Sequence, residues 1–306
     1  SYKVEQIPNS IKKVSEGPHW DIETQSLYYV DVYGGSVCRY DYSEKKLYSA
    51  KIEGVDVVCF VIPIEGVKNK FAIGIGCRVG IIEWDGKSST TKVESFILEV
   101  DTKEEFKHNR FNDAKADPHG RFFGGTIRLE EGGDLFAHRL GNFYTYTSGK
   151  PAELLLKKLG LSNGMTWNEA TNKMYFIDSC DFDVKEFDYD PKTGKIDNQK
   201  QLIDFRVNGE KPNFVLDGMT IDNQGYLYVA TFGGSAVLKI NANTKVVESK
   251  IEIPTEQVTS CAFGGPNLDI LFVTSASVGD KPEPAGATFI VTGLGVKGTK
   301  MHKLRL

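Results

Sequence analysis

Three short stretches of the chain share one chemical pattern: Glu16-Gly17-Pro18-His19-Trp20, Asn163-Gly164-Met165-Thr166-Trp167 and Asp217-Gly218-Met219-Thr220-Ile221. In each, a side chain carrying a hard oxygen donor stands directly before glycine. Two carboxylates and one amide carbonyl brought to one point make a site for one divalent cation, with coordination positions left for water and substrate. An open position is what separates a catalytic metal from a structural one. The set has no thiolate or imidazole, so calcium, magnesium or manganese suits it, calcium foremost. Zinc also accepts carboxylate oxygen. A single Asp-Gly or Asn-Gly pair is a common turn element, so the metal reading needs a reason for these distant pairs to meet.

A repeat supplies that reason. Aromatic and β-branched runs recur in pairs: 26–31 with 37–42, 173–178 with 184–189, and 225–230 with 236–240. Weaker copies are 70–74 with 80–85, 120–124 with 142–146, and 269–274 with 287–291. Each copy reads as strand, turn and strand, preceded by a further apolar run. A period of about 45 to 53 residues built this way marks a propeller blade. The pattern predicts an all-β, six-bladed β-propeller with four antiparallel strands per blade, residues 1–306 forming one domain. The N-terminal run 2–7 should add a strand to the last blade and so remove two sheet edges. The innermost strand of each blade should begin about a dozen residues before the strong apolar strand. Counting back from Tyr28, Phe122, Tyr175, Tyr228 and Phe272 reaches Glu16, Asn112, Asn163, Asp217 and Ser260. The three donor-glycine pairs therefore occupy one phase of the repeat, and ring closure should bring them to one depth in the central channel.

A second cluster is His108-Asn109-Arg110-Phe111-Asn112-Asp113. Strand alternation puts Arg110 and Asn112 on one face, and Phe111 and Asp113 on the other. If Asn112 faces the channel, so does Arg110, and the two would bind the hydroxyls and carbonyl of a polar ligand. The stretch 128–133 interrupts the strand pattern and carries Glu130, either on a lid or on an exposed acidic loop. No Gly-x-Ser-x-Gly elbow accompanies the five histidines, so a Ser-His-Asp hydrolase is unsupported. The glycines of 74–80 lack the spacing of a dinucleotide loop.

Composition narrows the partners. With 37 basic against 41 acidic side chains and a formal charge of −4, neither nucleic acid nor an anionic membrane is expected. No segment approaches the ~20 apolar residues of a membrane span. The opening Ser1-Tyr2-Lys3-Val4-Glu5 lacks the apolar core of a signal peptide and reads as a mature start. Five cysteines, an odd number with no CxxC spacing, point to a reducing, cytoplasmic compartment.

The chain resembles the gluconolactonase, regucalcin (senescence marker protein 30) and luciferin-regenerating enzyme family, with the texture of insect members. The resemblance rests on 16–20, 110–118, 162–167, 217–222, 262–267 and 292–298, which span nearly the whole chain. It implies a six-bladed propeller with one divalent cation and lactone-hydrolysing activity toward sugar lactones. Its metal ligands fall on Glu16, Asn163 and Asp217, its substrate contacts on Arg110 and Asn112, and a lid glutamate near Glu130. The lid region 129–142 matches weakly, and Phe111 stands where relatives often carry another residue. The reading that follows is a lactonase in which Asp217 is both ligand and proton acceptor, acting on a small lactone as a monomer or weak dimer. Two alternatives stay open: a calcium-binding regulatory protein, and an enzyme acting on a luciferin-type heterocycle.

Overall fold

The aromatic and β-branched runs form strands, and successive strands pair as antiparallel hairpins. The computed structural model describes residues 1–128 and 138–306, and twenty-five strands carry the fold among them. β1 (Lys3–Gln6) precedes a first unit of β2 (Ser15–Asp21), β3 (Ser26–Asp31), β4 (Ser36–Asp41) and β5 (Lys46–Ile52). The second unit holds β6 (Val61–Pro63), β7 (Lys70–Ile75), β8 (Arg78–Glu83) and, after the short β9 (Thr90–Thr91), β10 (Val93–Glu99). The third is β11 (Asn109–Ala116), β12 (Phe122–Arg128), β13 (Gly141–Tyr146) and β14 (Glu153–Leu159). The fourth is β15 (Ser162–Asn168), β16 (Lys173–Asp178), β17 (Asp183–Tyr189) and β18 (Ile196–Asp204). These four units are separate sheets. The remaining strands are β19 (Val215–Ile221), β20 (Leu227–Phe232), β21 (Ala236–Asn241), β22 (Val246–Glu252), β23 (Gln257–Gly264), β24 (Ile270–Ala276) and β25 (Phe289–Thr292). Together with β1 they form one eight-stranded sheet, whose halves β19–β22 and β23–β25–β1 meet through the single pair Phe232↔Gln257. β1 lies antiparallel to β25, from Lys3↔Thr292 to Gln6↔Phe289, so the N-terminal run completes the last half as expected.

Burial falls from the inside outward. The middle strands β3, β16 and β20 are buried almost throughout, whereas the outer strands β18 and β22 are mostly exposed. A strand buried on both faces needs a continuous apolar run, and that is why these middle strands stand out in the sequence. Each unit covers its faces against the next. Tyr28, Val30 and Val37 pack with Phe71, Ile73 and Ile82, and Phe60 and Ile62 pack with Phe111 and Phe122. Phe143 meets Phe176 with ring centroids 4.6 Å apart, and Ile177 packs with Leu216 and Val229. Tyr228 meets Phe263, and Trp20 stacks on Phe272 at 5.4 Å, joining the last strands to the first unit. The fold is thus all-β and propeller-like, with its core distributed between units.

The C-terminal segment crosses one end of this ring. Gly298 bridges Asp222, Leu304 bridges Ile64, and the Arg305 amide donates to the Gly120 carbonyl at 2.9 Å.

Candidate functional site

A regular strand turns successive side chains to opposite faces. The innermost strands break that rule at one level. Their pairing slips between Glu16 and His19, Phe111 and Ala114, Ser162 and Met165, Leu216 and Met219, and Val258 and Ser260. A β-bulge re-aims the residues it contains, and Glu16, Asn112, Asn163 and Asp217 all sit at these slips. The glycine that follows each donor has one of two causes. Gly17 takes a φ of +63°, which a side chain disfavours. A Cβ on Gly164 would stand 2.7 Å from the Asp217 carbonyl oxygen, and one on Gly218 only 2.0 Å from Ser260 Oγ. At those two positions glycine is required by the close approach of neighbouring innermost strands.

The sequence-predicted residues meet in two pairs, Glu16 with Asp217 and Asn112 with Asn163. The Glu16 and Asp217 carboxyl groups are within hydrogen-bonding reach of each other. Asp217 is 7% exposed, and its Oδ1 is buried with no hydrogen-bond partner. Asn112 Nδ2 donates to Asn163 Oδ1 at 3.3 Å and to the Ser162 carbonyl at 2.8 Å. Asn163 Nδ2 donates to Ser179 Oγ at 2.8 Å. A carbonyl oxygen has two lone pairs, so Asn163 Oδ1 keeps one for a further partner. Burial raises the Glu16 carboxyl well above the usual range, and the charges of Asp217 and Asp113 push it further. Burial also lifts Asp217, to about 8, with the charge of Asp113 adding to the rise while hydrogen bonding from Glu16 opposes it. Carboxylates this close cannot all ionise unless a cation lies among them. Among the described residues no three His, Cys, Asp or Glu side chains form a metal cluster by themselves. A cation at the two carboxylates would need a further donor of another kind, and the Asn163 amide is the candidate on the neighbouring strand. The unpartnered Asp217 oxygen and this all-oxygen donor set suit a hard divalent ion.

Arg110 lies beside Asn112, as expected. Its Nη1 donates to Asn112 Oδ1 at 3.3 Å and to the Phe111 carbonyl at 2.8 Å, and its Nε is buried without a partner. Glu130 lies outside the described residues. Asp113 is a correction: strand alternation turns it away from Asn112, yet its charge acts directly on Glu16 and Asp217. The slip between Phe111 and Ala114 is the cause, because an extra residue there cancels the two-residue period. The sequence reading also missed Lys115, whose buried Nζ donates to the Met219 carbonyl at 2.6 Å. Burial depresses that amine, and Asp113 opposes the effect. Ser260 lines a void of about 10 Å³ with Gly17, Asp113 and Lys115. Beyond it, near the C-terminal segment, a cavity of about 590 Å³ is lined by His19, Lys115, Trp167, Glu169 and His302.

The candidate donors stand on β2, β15 and β19, which belong to three different sheets of a propeller-like protein. The chain belongs to the SMP-30/Gluconolactonase/LRE-like family, whose sequence profile matches residues 14–277. Regucalcin of Danio rerio is 36% identical over 307 residues, covering 97% of each chain. Regucalcin of Xenopus laevis is 33% identical over 308 residues with the same coverage. The solved structure of a luciferin-regenerating enzyme superposes with a TM-score of 0.90 at 37% identity, covering 100% of both chains. The family indicated by the sequence motifs is therefore the family of this chain.

Proposed function

We propose that this protein is a divalent-cation-dependent hydrolase that opens small, sugar-type lactone rings. Glu16, Asn163 and Asp217 hold the cation, and residues 1–306 form one six-bladed propeller. The eight-stranded sheet supports the blade count: its two halves of four strands share only Phe232↔Gln257, and each half packs a separate hydrophobic cluster against its neighbour. The observation that carries the function is the Glu16–Asp217 carboxyl pair, with Asp217 Oδ1 left without a partner and the Asn163 strand packed against the Asp217 strand.

When bound, the cation supplies Lewis acidity for a lactone carbonyl and lowers the pKa of water. Asp217, held ionised when the cation is bound, accepts the proton of the attacking water. Arg110 and Asn112 orient the ring and its hydroxyls, so attack proceeds within a bound pair. The unpartnered Arg110 Nε is a donor suited to a hydroxyl-rich ligand, and the Asn112 amide, both of whose N–H groups are engaged, holds Arg110 through its Oδ1. Asn163 and Asp217 are buried and Glu16, Arg110 and Asn112 half-buried, which limits bulk water and strengthens these contacts.

The test is a panel of sugar lactones on chelator-treated protein, with calcium, magnesium, manganese and zinc added back one at a time. Ring opening should appear only with added cation. Turnover that survives chelation would refute the reading, and cation binding without turnover would favour a regulatory ion-binding role instead. A second substrate class is favoured by the 37% identity to the luciferin-regenerating enzyme over the full length of both chains. A heterocyclic substrate in the same panel separates the two.

A further inference from the structure

The side chain that orients the candidate metal amide comes from outside the innermost strands. Directly after β16 the chain makes a 3-10 turn, Ser179–Asp181. Asp178 fixes that turn. Its carboxylate accepts from the Gly160, Leu161 and Cys180 backbone amides at 2.9, 2.9 and 3.1 Å. Ser179 is fully buried on it. Its Oγ accepts from Asn163 Nδ2 at 2.8 Å and donates to the Leu216 carbonyl at 2.5 Å. Leu216 directly precedes Asp217, so one hydroxyl links the residue that supplies the amide to the strand that supplies a carboxylate.

These bonds form a directed chain. Arg110 donates to Asn112, Asn112 to Asn163 Oδ1, Asn163 Nδ2 to Ser179, and Ser179 to the Leu216 carbonyl. A primary amide has a donor end and an acceptor end of nearly equal shape. Only its partners decide which end faces a site. Ser179 has a single proton and directs it to Leu216, so it can meet Asn163 only as an acceptor. That holds the Nδ2 end against the turn and leaves the Oδ1 end toward Asn112. Without the hydroxyl the amide can rotate and present N–H groups, which do not bind a cation.

We propose that Ser179 is a positioning residue for the cation site: it locks the Asn163 amide oxygen-inward and ties it to the Asp217 strand. The inference rests on the reading of Glu16, Asn163 and Asp217 as cation ligands. Loss of a partner that orients a ligand typically weakens metal affinity about 10- to 100-fold.

The experiment is calorimetric titration of chelator-treated full-length protein with Ca²⁺ and with Mn²⁺. Wild type, Ser179→Ala and Cys180→Ala are compared, and metal-free melting curves are recorded for all three. Cys180 is buried on the same turn and lies outside the hydrogen-bonded chain described above, so it is the control for damage to the turn. Ser179→Ala should bind about 10- to 100-fold more weakly, and Cys180→Ala within about twofold of wild type. Affinity of Ser179→Ala within twofold of wild type overturns the proposal. So does an equal loss in Cys180→Ala, which would mean that any damage to the turn suffices. If Ser179→Ala does not fold, Ser179→Cys replaces it, since a thiol of similar shape is a weak donor and acceptor, and the same thresholds apply. A wild-type protein that binds neither ion refutes the metal reading itself, whereas normal wild-type binding with an unaffected Ser179→Ala refutes the role of Ser179 alone.

Discussion

The buried carboxyl pair makes a prediction that is independent of any substrate. Consider Asp217→Asn in protein stripped of metal. In the folded chain the Asp217 carboxyl is lifted from its ordinary 3.8 to about 8, with burial as the main cause. A carboxyl whose folded value is raised favours folding at low pH. That advantage is lost progressively as the pH climbs from about 4 toward 8. Each tenfold change in proton affinity is worth ~1.4 kcal/mol, so at pH 7 roughly three such steps, about 4 kcal/mol, weigh against the metal-free wild type. Asparagine cannot ionise, and its NH₂ can donate to the Glu16 carboxylate. Metal-free Asp217→Asn should therefore be the more stable protein at pH 7. At about 2 to 4 °C per kcal/mol for large domains, its melting point should lie on the order of 10 °C higher, with the gap closing toward pH 4. Added calcium should raise the melting point of the wild type but not of the variant. The assay is thermal melting by circular dichroism from pH 4 to 8, with and without calcium. A metal-free wild type whose melting point is flat over that range, or a variant that melts lower at pH 7, would refute the argument.

Other outcomes follow from single contacts. Arg110→Ala should lower kcat/KM for a lactone by about 10- to 100-fold and leave calcium affinity within about twofold, because Arg110 bonds Asn112 and not the carboxylates; equal loss in a calcium titration would contradict this. Gly218→Ala would place a Cβ 2.0 Å from Ser260 Oγ and 2.8 Å from its Cα, so denaturant titration should show a loss of about 1 to 3 kcal/mol. Deleting residues 1–7 removes the outer partner of β25, leaving it paired only with β24, and exposes a strand edge; light scattering should then show aggregation on warming that the full chain does not show.

The middle strands were legible because burial on both faces demands runs such as Met174 to Ile177, which local sequence displays directly. The donors were legible because glycine recurs after them at one phase of the repeat, a trace left by Gly164 and Gly218 at tight strand contacts. Asp113 was not legible, since a bulge is a property of two paired strands, and the sequence of β11 alone reads as regular alternation. β6 escaped the count for another reason. It has only three residues, Val61–Pro63, and presents no oxygen-bearing side chain before a glycine. Ser179 has no local signature at all: its importance arises from Asn163 and Leu216, 16 and 37 residues away in the chain.

The division of labour within the ring explains how such a site can persist. On the argument above, the raised Asp217 carboxyl would destabilise the metal-free chain at neutral pH by about a few kcal/mol. Full burial of one large apolar side chain contributes about 1.5 to 3 kcal/mol, so the deficit on the channel is comparable to two or three such residues. Each hydrophobic cluster between neighbouring units holds nine or more buried residues, and none of these is Glu16, Asn163 or Asp217. Packing and polar chemistry thus occupy different radii of the fold. Trp20 shows the boundary: four residues after Glu16 on the same strand, it stacks on Phe272 in the interface that closes the ring. The strand that carries Glu16 is anchored by a side chain committed wholly to the core. A cation held between β2, β15 and β19 would join strands from three units, so its binding energy would add to ring closure. Chelation should accordingly loosen the innermost strands before it affects the interfaces between the middle strands.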